Sequence, residues 1–456
     1  MSLDKDCNGK KLTGFCCSPF ILELKILAIS GKISPFYSQH SIMAFNFFTL
    51  LFLIAIFSYV VTLLWLNIRQ NKAVTSSSGA VPSEFSQKIT LEQHQKAADY
   101  TCAKLNLNYF EVVFSAFVLL AWTLGGGLEW LDGFWRAFSD DVLFVGVGFI
   151  LSLMLIGTLI DLPFGLYRTF VLEEKFGFNK TTISTLVSDT IKGFGLALVI
   201  GVPLLYVVLY LMNEMGEYWW FFVWLVLTGF SLLLLWLYPT FIAPLFNKFN
   251  PLENQALKAK IDDLLNRTGF KSDGIFVMDG SKRSSHGNAY FTGIGKNKRI
   301  VFFDTLLKGM NDNEVQAILA HELGHFHHKH IRKQMLISFL TSLLGLALLG
   351  YLITQPWFFY GLGIEAMSNH AALVLFTLTL PIFSFFIEPI SHALSRKHEF
   401  EADAFAAKHT DANDLISSLV KLYRDNASTL TPDKLYSAFH DSHPSASIRI
   451  KHLRTK

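Results

Sequence analysis

The chain has 456 residues, 51% hydrophobic and 14% aromatic but only 16% charged; soluble domains carry roughly 25% charged residues, so lipid is the solvent for much of it. A net charge of +3, with no basic block interleaved with aromatics on a polar surface, excludes a nucleic-acid partner. The four cysteines, Cys7, Cys16, Cys17 and Cys102, lack CxxC spacing, which excludes a disulfide framework or a cysteine metal site.

The tail 1–42 carries Lys5, Lys10, Lys11, Lys25 and Lys32. Its apolar stretch 20–29 is short and holds Glu23 and Lys25, so it reads neither as a span nor as a signal peptide. Met43 immediately precedes the first apolar run and is the expected start of translation. A helical span takes about 20 apolar residues. Seven segments qualify: 45–68, 109–131, 142–167, 194–212, 218–246, 334–353 and 372–394. Connections after spans one, three and five are rich in Lys and Arg, whereas those after spans two, four and six carry only Arg136. Basic loops stay in the cytoplasm, so the large polar loop and the C-terminus should face that side.

The chain thus divides into the tail 1–42, spans one to five over 43–250, a polar segment 251–333, spans six and seven over 334–395, and a second polar segment 396–456. Residues 251–270 read as an amphipathic helix, and 274–279, 288–293 and 299–303 as short strands separated by turns. A longer helix follows, opened by Asn311 with Glu314 three residues on, a capping-box pattern.

That helix carries His321-Glu322-Leu323-Gly324-His325. Residues four apart share a helical face, so both imidazoles can reach one metal ion, and Glu322 can reach a metal-bound water as general base. A catalytic zinc wants three protein ligands and one open position. A third histidine six residues after His325 is ruled out, because position 331 is Ile331 and His328 stands where that pattern needs glycine. Glu399, in Glu399-Phe400-Glu401-Ala402-Asp403, is the better third ligand: one span leads away from His325 and the next returns to the same membrane face. Asp403, one turn beyond, can accept a hydrogen bond from the outer nitrogen of a ligand histidine. His327, His328 and His330 read as solvated or supporting groups; His330, five residues past His325, lies too far round a continuous helix to share its ion. Glu129, Asp161 and Glu388 sit near span ends, where charges face a polar cavity or the headgroups.

His321–His325, Ser395-Arg396 with the Glu399–Asp403 run, and His443-Pro444 with Arg449-Ile450 together resemble the type I CAAX prenyl protease family. Further stretches resemble it too: Asp161-Leu162-Pro163, Gly177-Phe178-Asn179-Lys180, Pro244-Leu245-Phe246-Asn247-Lys248, and Arg283 through Tyr290. The likeness covers 43–456. It implies an α-helical membrane protein whose seven transmembrane helices enclose an intramembrane chamber beside a zincin-like α+β metallopeptidase domain, with one Zn2+ per chain. It also implies that His443 and Arg449 donate to the substrate carbonyl oxygen, and that Asn288 bonds an extended substrate by edge-strand addition. The implied reaction removes the C-terminal tripeptide of a prenylated CAAX protein or peptide. The alternatives are a membrane-protein quality-control protease without prenyl specificity and, outside enzymes, a seven-span transporter or receptor. A bacterial inner membrane is the favoured location, or the endoplasmic reticulum in a eukaryote, although the C-terminus lacks a dilysine ending.

Overall fold

The structure is a computed structural model describing residues 45–292 and 298–455; the tail and Gly293 lie outside the described residues. Seven described helices are long and apolar enough to cross a membrane: α1 (Phe47–Ser77), α2 (Leu91–Trp122), α3 (Val142–Phe176), α4 (Ile183–Glu214), α5 (Gly216–Phe246), then, after an amphipathic α6 (Gln255–Thr268) and α7 (Asp312–His327), α8 (His330–Leu352) and α9 (Asn369–His409). Three short helices close the chain: α10 (Ala412–Asp425), α11 (Lys434–His440) and α12 (Ala446–Leu453).

Six of the seven expected spans lie wholly or almost wholly within these helices. The second does not: the sequence reading put it at 109–131, but α2 starts at Leu91 and stops at Trp122. The early start follows from a capping box of Thr90 with Gln93 and from packing of Ala97 and Tyr100 against Leu172, Phe176 and Phe178, so a polar stretch becomes helical by tertiary contact. The early stop falls at Thr123, whose ψ of −95° leaves the helical region, and Gly126, at φ 77°, then leads into a separate short helix, Gly127–Arg136.

Two cores have different physics. The intramembrane cluster around Phe52, Phe149, Leu209 and Leu375 lies among spans, where lipid is as apolar as the side chains and close packing does the work. The cluster around Ile261, Leu264, Phe302, Val315, Leu319 and Leu323 belongs to the polar segments and is driven by removal of apolar surface from water, about 1.5–3 kcal/mol per large side chain.

Four strands form one sheet in the order β1-β2-β4-β3: β1 (Phe249–Pro251), β2 (Ile275–Met278), β3 (Ala289–Thr292) and β4 (Arg299–Phe303). β2 and β4 are parallel, and the other pairs antiparallel. The sequence reading held β2, β3 and β4 but not β1, a three-residue edge ending in Pro251, as a proline in a sheet requires. β3 is the other edge.

The loop leading into β3 is tied to the α3–α4 connection. Lys180 N–H donates to Arg283 O at 3.0 Å, Ser285 N–H to Phe178 O at 3.1 Å, and the Phe178 and His286 rings stack at 4.3 Å. Arg283 forks onto Asp189 at 2.7 and 3.0 Å and donates to Phe246 O at 2.7 Å. Two stretches a hundred residues apart, each of which resembled the same family, therefore form one clamp that holds the β3 edge. A cavity of about 870 Å³ opens between α1, α2, α3 and the polar segments, lined among others by Asn108, Glu111, Arg168, Glu388 and His443. Of the three span-end acids, Glu388 thus lines the cavity, whereas Glu129 accepts the Glu365 N–H at 3.0 Å.

Candidate metal centre and active site

α7 begins with the expected capping box: Asn311 Oδ1 accepts from Glu314 N–H at 2.9 Å, and Glu314 Oε2 accepts from Asn311 N–H at 2.8 Å. Glu314 is buried and also accepts from Lys421 Nζ at 2.6 Å and Ser417 Oγ at 2.7 Å, which lock α10 to the start of α7. Burial pushes its carboxyl pKa up, but these donors more than offset that and hold it below the usual carboxylate range. Two and three turns on, His321 and His325 face the same side, their Nε2 atoms 3.3 Å apart.

α9 leaves the membrane, tightens into a 3-10 turn at Phe385–Ile387 after Pro381, and runs on past α7. The two helices can touch because a glycine faces an alanine: a Cβ on Gly324 would lie 2.8 Å from Ala402 Cα and 3.0 Å from Ala402 O. That contact sets Glu399, one turn before Ala402, against the histidines. Glu399 Oε2 is 3.4 Å from His321 Nε2, and Oε1 is 3.2 Å from His325 Nε2. One ligand atom from each of the three residues lies within 4.8 Å of the others.

This trio fits a zinc ion. Two imidazole nitrogens and a carboxylate are a catalytic zinc donor set. Glu399 Oε2 is buried and meets its neighbours, His321 Nε2 and Arg449 Nη1, only at 3.4 Å, an under-satisfied state for a carboxylate oxygen that a cation at the shared point would relieve. Asp403, fully buried, accepts from the outer nitrogen of His321, with Nδ1–Oδ1 at 2.9 Å. Arg449, buried on α12, forks onto Asp403 at 2.6 and 2.9 Å, and its Nη1 lies 3.4 Å from Glu399 Oε2. Burial and the Arg449 charge push the His321 pKa down, but hydrogen bonds to Asp403 and Glu399 prevail and raise it to about 9. A metal ion on His321 Nε2 would take the place of that proton; with the ring then neutral, the carboxylates of Glu399 and Asp403 against one guanidinium leave a negative charge over, which suits a divalent cation.

His443 stands at the rim, its side chain 63% exposed and its Nε2 3.3 Å from Glu399 Oε1. Desolvation by the groups crowding it lowers its pKa, with Glu399 opposing and Arg449 reinforcing, which favours the neutral ring able to donate through one nitrogen. Arg449 is less open than the sequence reading supposed, because Nε and Nη2 are taken by Asp403. Glu322, next to His321, is half-buried. Asn288 is exposed at the start of β3, its side chain accepting the Ala289 N–H at 2.8 Å. β3 joins α7 through Phe291, Phe270 and Phe326, whose rings follow each other at 5.3 and 4.9 Å.

Sequence reasoning passed over several residues that shape this site. Gly324 and Ala402 could have been found as small residues beside ligands on two helices that must touch. His330 was placed by helical periodicity, yet the helix breaks before it: Lys329 has φ 59° and ψ 30°, a left-handed residue between α7 and α8. His330 is buried, with its Nδ1 3.1 Å from His325 Nδ1.

Seven apolar helices and a His-His-Glu centre set on an α+β domain define an integral-membrane metallopeptidase. Comparison with known proteins agrees. Residues 70–248 match the family model described as the CAAX prenyl protease N-terminal region with five membrane helices, and 251–456 match peptidase family M48. CAAX prenyl protease 1 homolog of Arabidopsis thaliana is 34% identical, over 85% of this chain and 93% of that protein. The Homo sapiens protein of the same name is 33% identical, over 85% and 91%. The crystal structure of S. mikatae Ste24p superposes with a TM-score of 0.82 at 32% identity, covering 90% of this chain and 99% of that one. The chain belongs to the type I CAAX prenyl protease family of M48 peptidases, and is a multi-span zinc metalloprotease. A seven-span transporter or receptor is thereby excluded.

Proposed function

We propose that the chain cleaves the C-terminus of prenylated CAAX proteins or peptides, removing the terminal tripeptide, with His321, His325 and Glu399 holding one Zn2+. The observation that carries the metal assignment is the convergence of these ligand atoms on one point beside a buried Glu399 oxygen that no hydrogen bond satisfies closely. The CAAX substrate comes from the relatives' names. It suits a cavity that runs from span residues such as Leu63 and Val112 to His443 at the metal centre, so a lipid and its peptide can lie in one space.

A bound zinc ion supplies Lewis acidity at the scissile carbonyl and lowers the pKa of water there towards ~7. Glu322 accepts the proton of the attacking water and delivers it to the leaving amine nitrogen. His443, the freer of the two donors, stabilises the negative charge developing on the carbonyl oxygen through its Nε2–H. Arg449 adds positive charge through Nη1 while holding Asp403. Asp403 fixes His321 as the Nδ1–H tautomer, leaving Nε2 for the metal. Asn288 and the open edge of β3 align an extended peptide by main-chain hydrogen bonds. The positive-inside pattern supports a cytoplasmic active site. Either a bacterial inner membrane or the endoplasmic reticulum is compatible with that topology.

The test is hydrolysis by the purified full chain, with and without a chelator, of farnesylated and unprenylated peptides ending in CAAX, the products identified by mass. Release of the terminal tripeptide from the farnesylated peptide, abolished by chelation and restored by zinc, is the expected result. Equal cleavage of both peptides points instead to a quality-control protease, and cleavage that survives complete zinc removal refutes the metal assignment.

A further inference from the structure

The two imidazoles of the metal centre are steadied by unlike devices. His321 donates directly to a carboxylate, Asp403, at 2.9 Å. His325 has no carboxylate on its outer nitrogen; it meets a third imidazole, with Nδ1 of His325 3.1 Å from Nδ1 of His330. Two ring nitrogens form a hydrogen bond only when one bears a proton and the other a lone pair.

His330 settles which is which. Its far nitrogen, Nε2, lies 2.9 Å from Glu401 Oε2, and an ionised carboxylate only accepts, so Nε2 carries the hydrogen. In the neutral ring Nδ1 is then the acceptor. His325 must donate through Nδ1–H, which leaves the lone pair of its Nε2 aimed at the point shared with His321 and Glu399. The ring of His330 cannot easily turn away: it is 4% exposed and stacks on His398 at 3.9 Å and 14°. Glu401 sits on α9 two residues past Glu399, so the helix that supplies the third ligand also supplies the end of this chain of bonds.

We infer that His330 and Glu401 form a positioning relay, which fixes the tautomer and ring plane of His325 for metal binding. Neither touches the metal or the substrate. The left-handed backbone at Lys329 makes the relay possible, because it ends α7 and turns His330 back towards His325. On an unbroken helix a residue five positions on would point elsewhere.

The inference rests on His321, His325 and Glu399 being the ligands, and the experiment separates the two claims. Zinc affinity of the full chain in detergent is measured by chelator competition for the parent, His330→Phe, His330→Asn, Glu401→Leu and His325→Ala. Phenylalanine keeps the ring volume and the stack on His398 but has no acceptor; asparagine loses the ring, yet its Oδ1 takes the place of Nδ1. The relay predicts a roughly 10–100-fold loss of zinc affinity for His330→Phe. It predicts recovery to within about 3-fold of the parent for His330→Asn, and an intermediate loss for Glu401→Leu, which leaves the buried ring in place. A packing role predicts the reverse order for the two His330 variants, and that order, or parental affinity in His330→Phe, overturns the relay. Parental affinity in His325→Ala overturns the ligand assignment beneath it.

Discussion

Gly324 and Ala402 meet where α7 crosses α9, with room for a hydrogen on one side and a methyl on the other. Each lies one turn or less from a proposed ligand, Gly324 beside His325 and Ala402 three residues past Glu399. The crossing distance of these helices therefore sets how far Glu399 stands from His321 and His325, the three proposed metal ligands.

Gly324→Val should accordingly disable the site without touching a ligand. Its Cβ would meet the Ala402 backbone, which cannot rotate aside as a side chain can. The expected cost is about 1–3 kcal/mol of stability, with a fall in zinc affinity of at least tenfold. Thermal denaturation and chelator competition on one preparation check both, and unchanged zinc affinity would show that the crossing does not set the ligand spacing.

Glu322→Gln should keep zinc and lose hydrolysis, because the amide fills the same space but cannot take a proton. A drop in kcat of about 10²–10⁴-fold is expected. His321→Ala, by contrast, should lose the metal. Zinc content of both variants beside peptide turnover makes the comparison, and near-normal turnover in Glu322→Gln removes that residue from the proposed mechanism.

The Glu314–Lys421 contact should make stability depend on pH on the acid side. The carboxyl pKa is lowered in the folded protein, so its stabilisation is complete above the unfolded value near ~4.3 and is lost as pH falls through the folded value. Glu314→Gln should cost about 2 kcal/mol at pH 7, and the gap to the parent should close in acid. Denaturation midpoints of both proteins between pH 7 and pH 3 test the sign; a gap that widens on acidification contradicts it.

Lys329→Gly should be tolerated and stabilising by about 1 kcal/mol, since glycine adopts φ 59° without the steric cost that lysine meets there. Lys329→Val should destabilise and weaken zinc binding, because a β-branched residue resists that conformation and drags His330 with it. Denaturation midpoints and zinc affinity would reveal either result.

Much of the site was legible in the chain because it depends on local geometry or simple length. Residues four apart on a helix share a face, so His321 and His325 could be paired without coordinates. Two spans of about 20 residues bring the chain back to its starting face, so Glu399 could be added, and Asp403 follows one turn later. The seven spans follow from hydropathy, since unpaired backbone in lipid forces helix.

What tertiary structure alone decided are contacts whose strength lies between segments rather than within one. The extension of α2 through its polar first turns, beyond what the local Thr90–Gln93 cap provides, depends on Tyr100 finding Phe176 and Phe178. The clamp on β3 depends on Arg283 reaching Asp189, 94 residues away. His330 reaches His325 only because one lysine adopts a left-handed conformation, a choice made by packing against its own preference. The amino-acid order determined which groups could bind a metal and that an out-and-back pair of spans can gather them at one end of the bundle. Close packing of α7 on α9 determined how those groups are held, because distances of a few ångströms between remote side chains are set by the fit of whole helices.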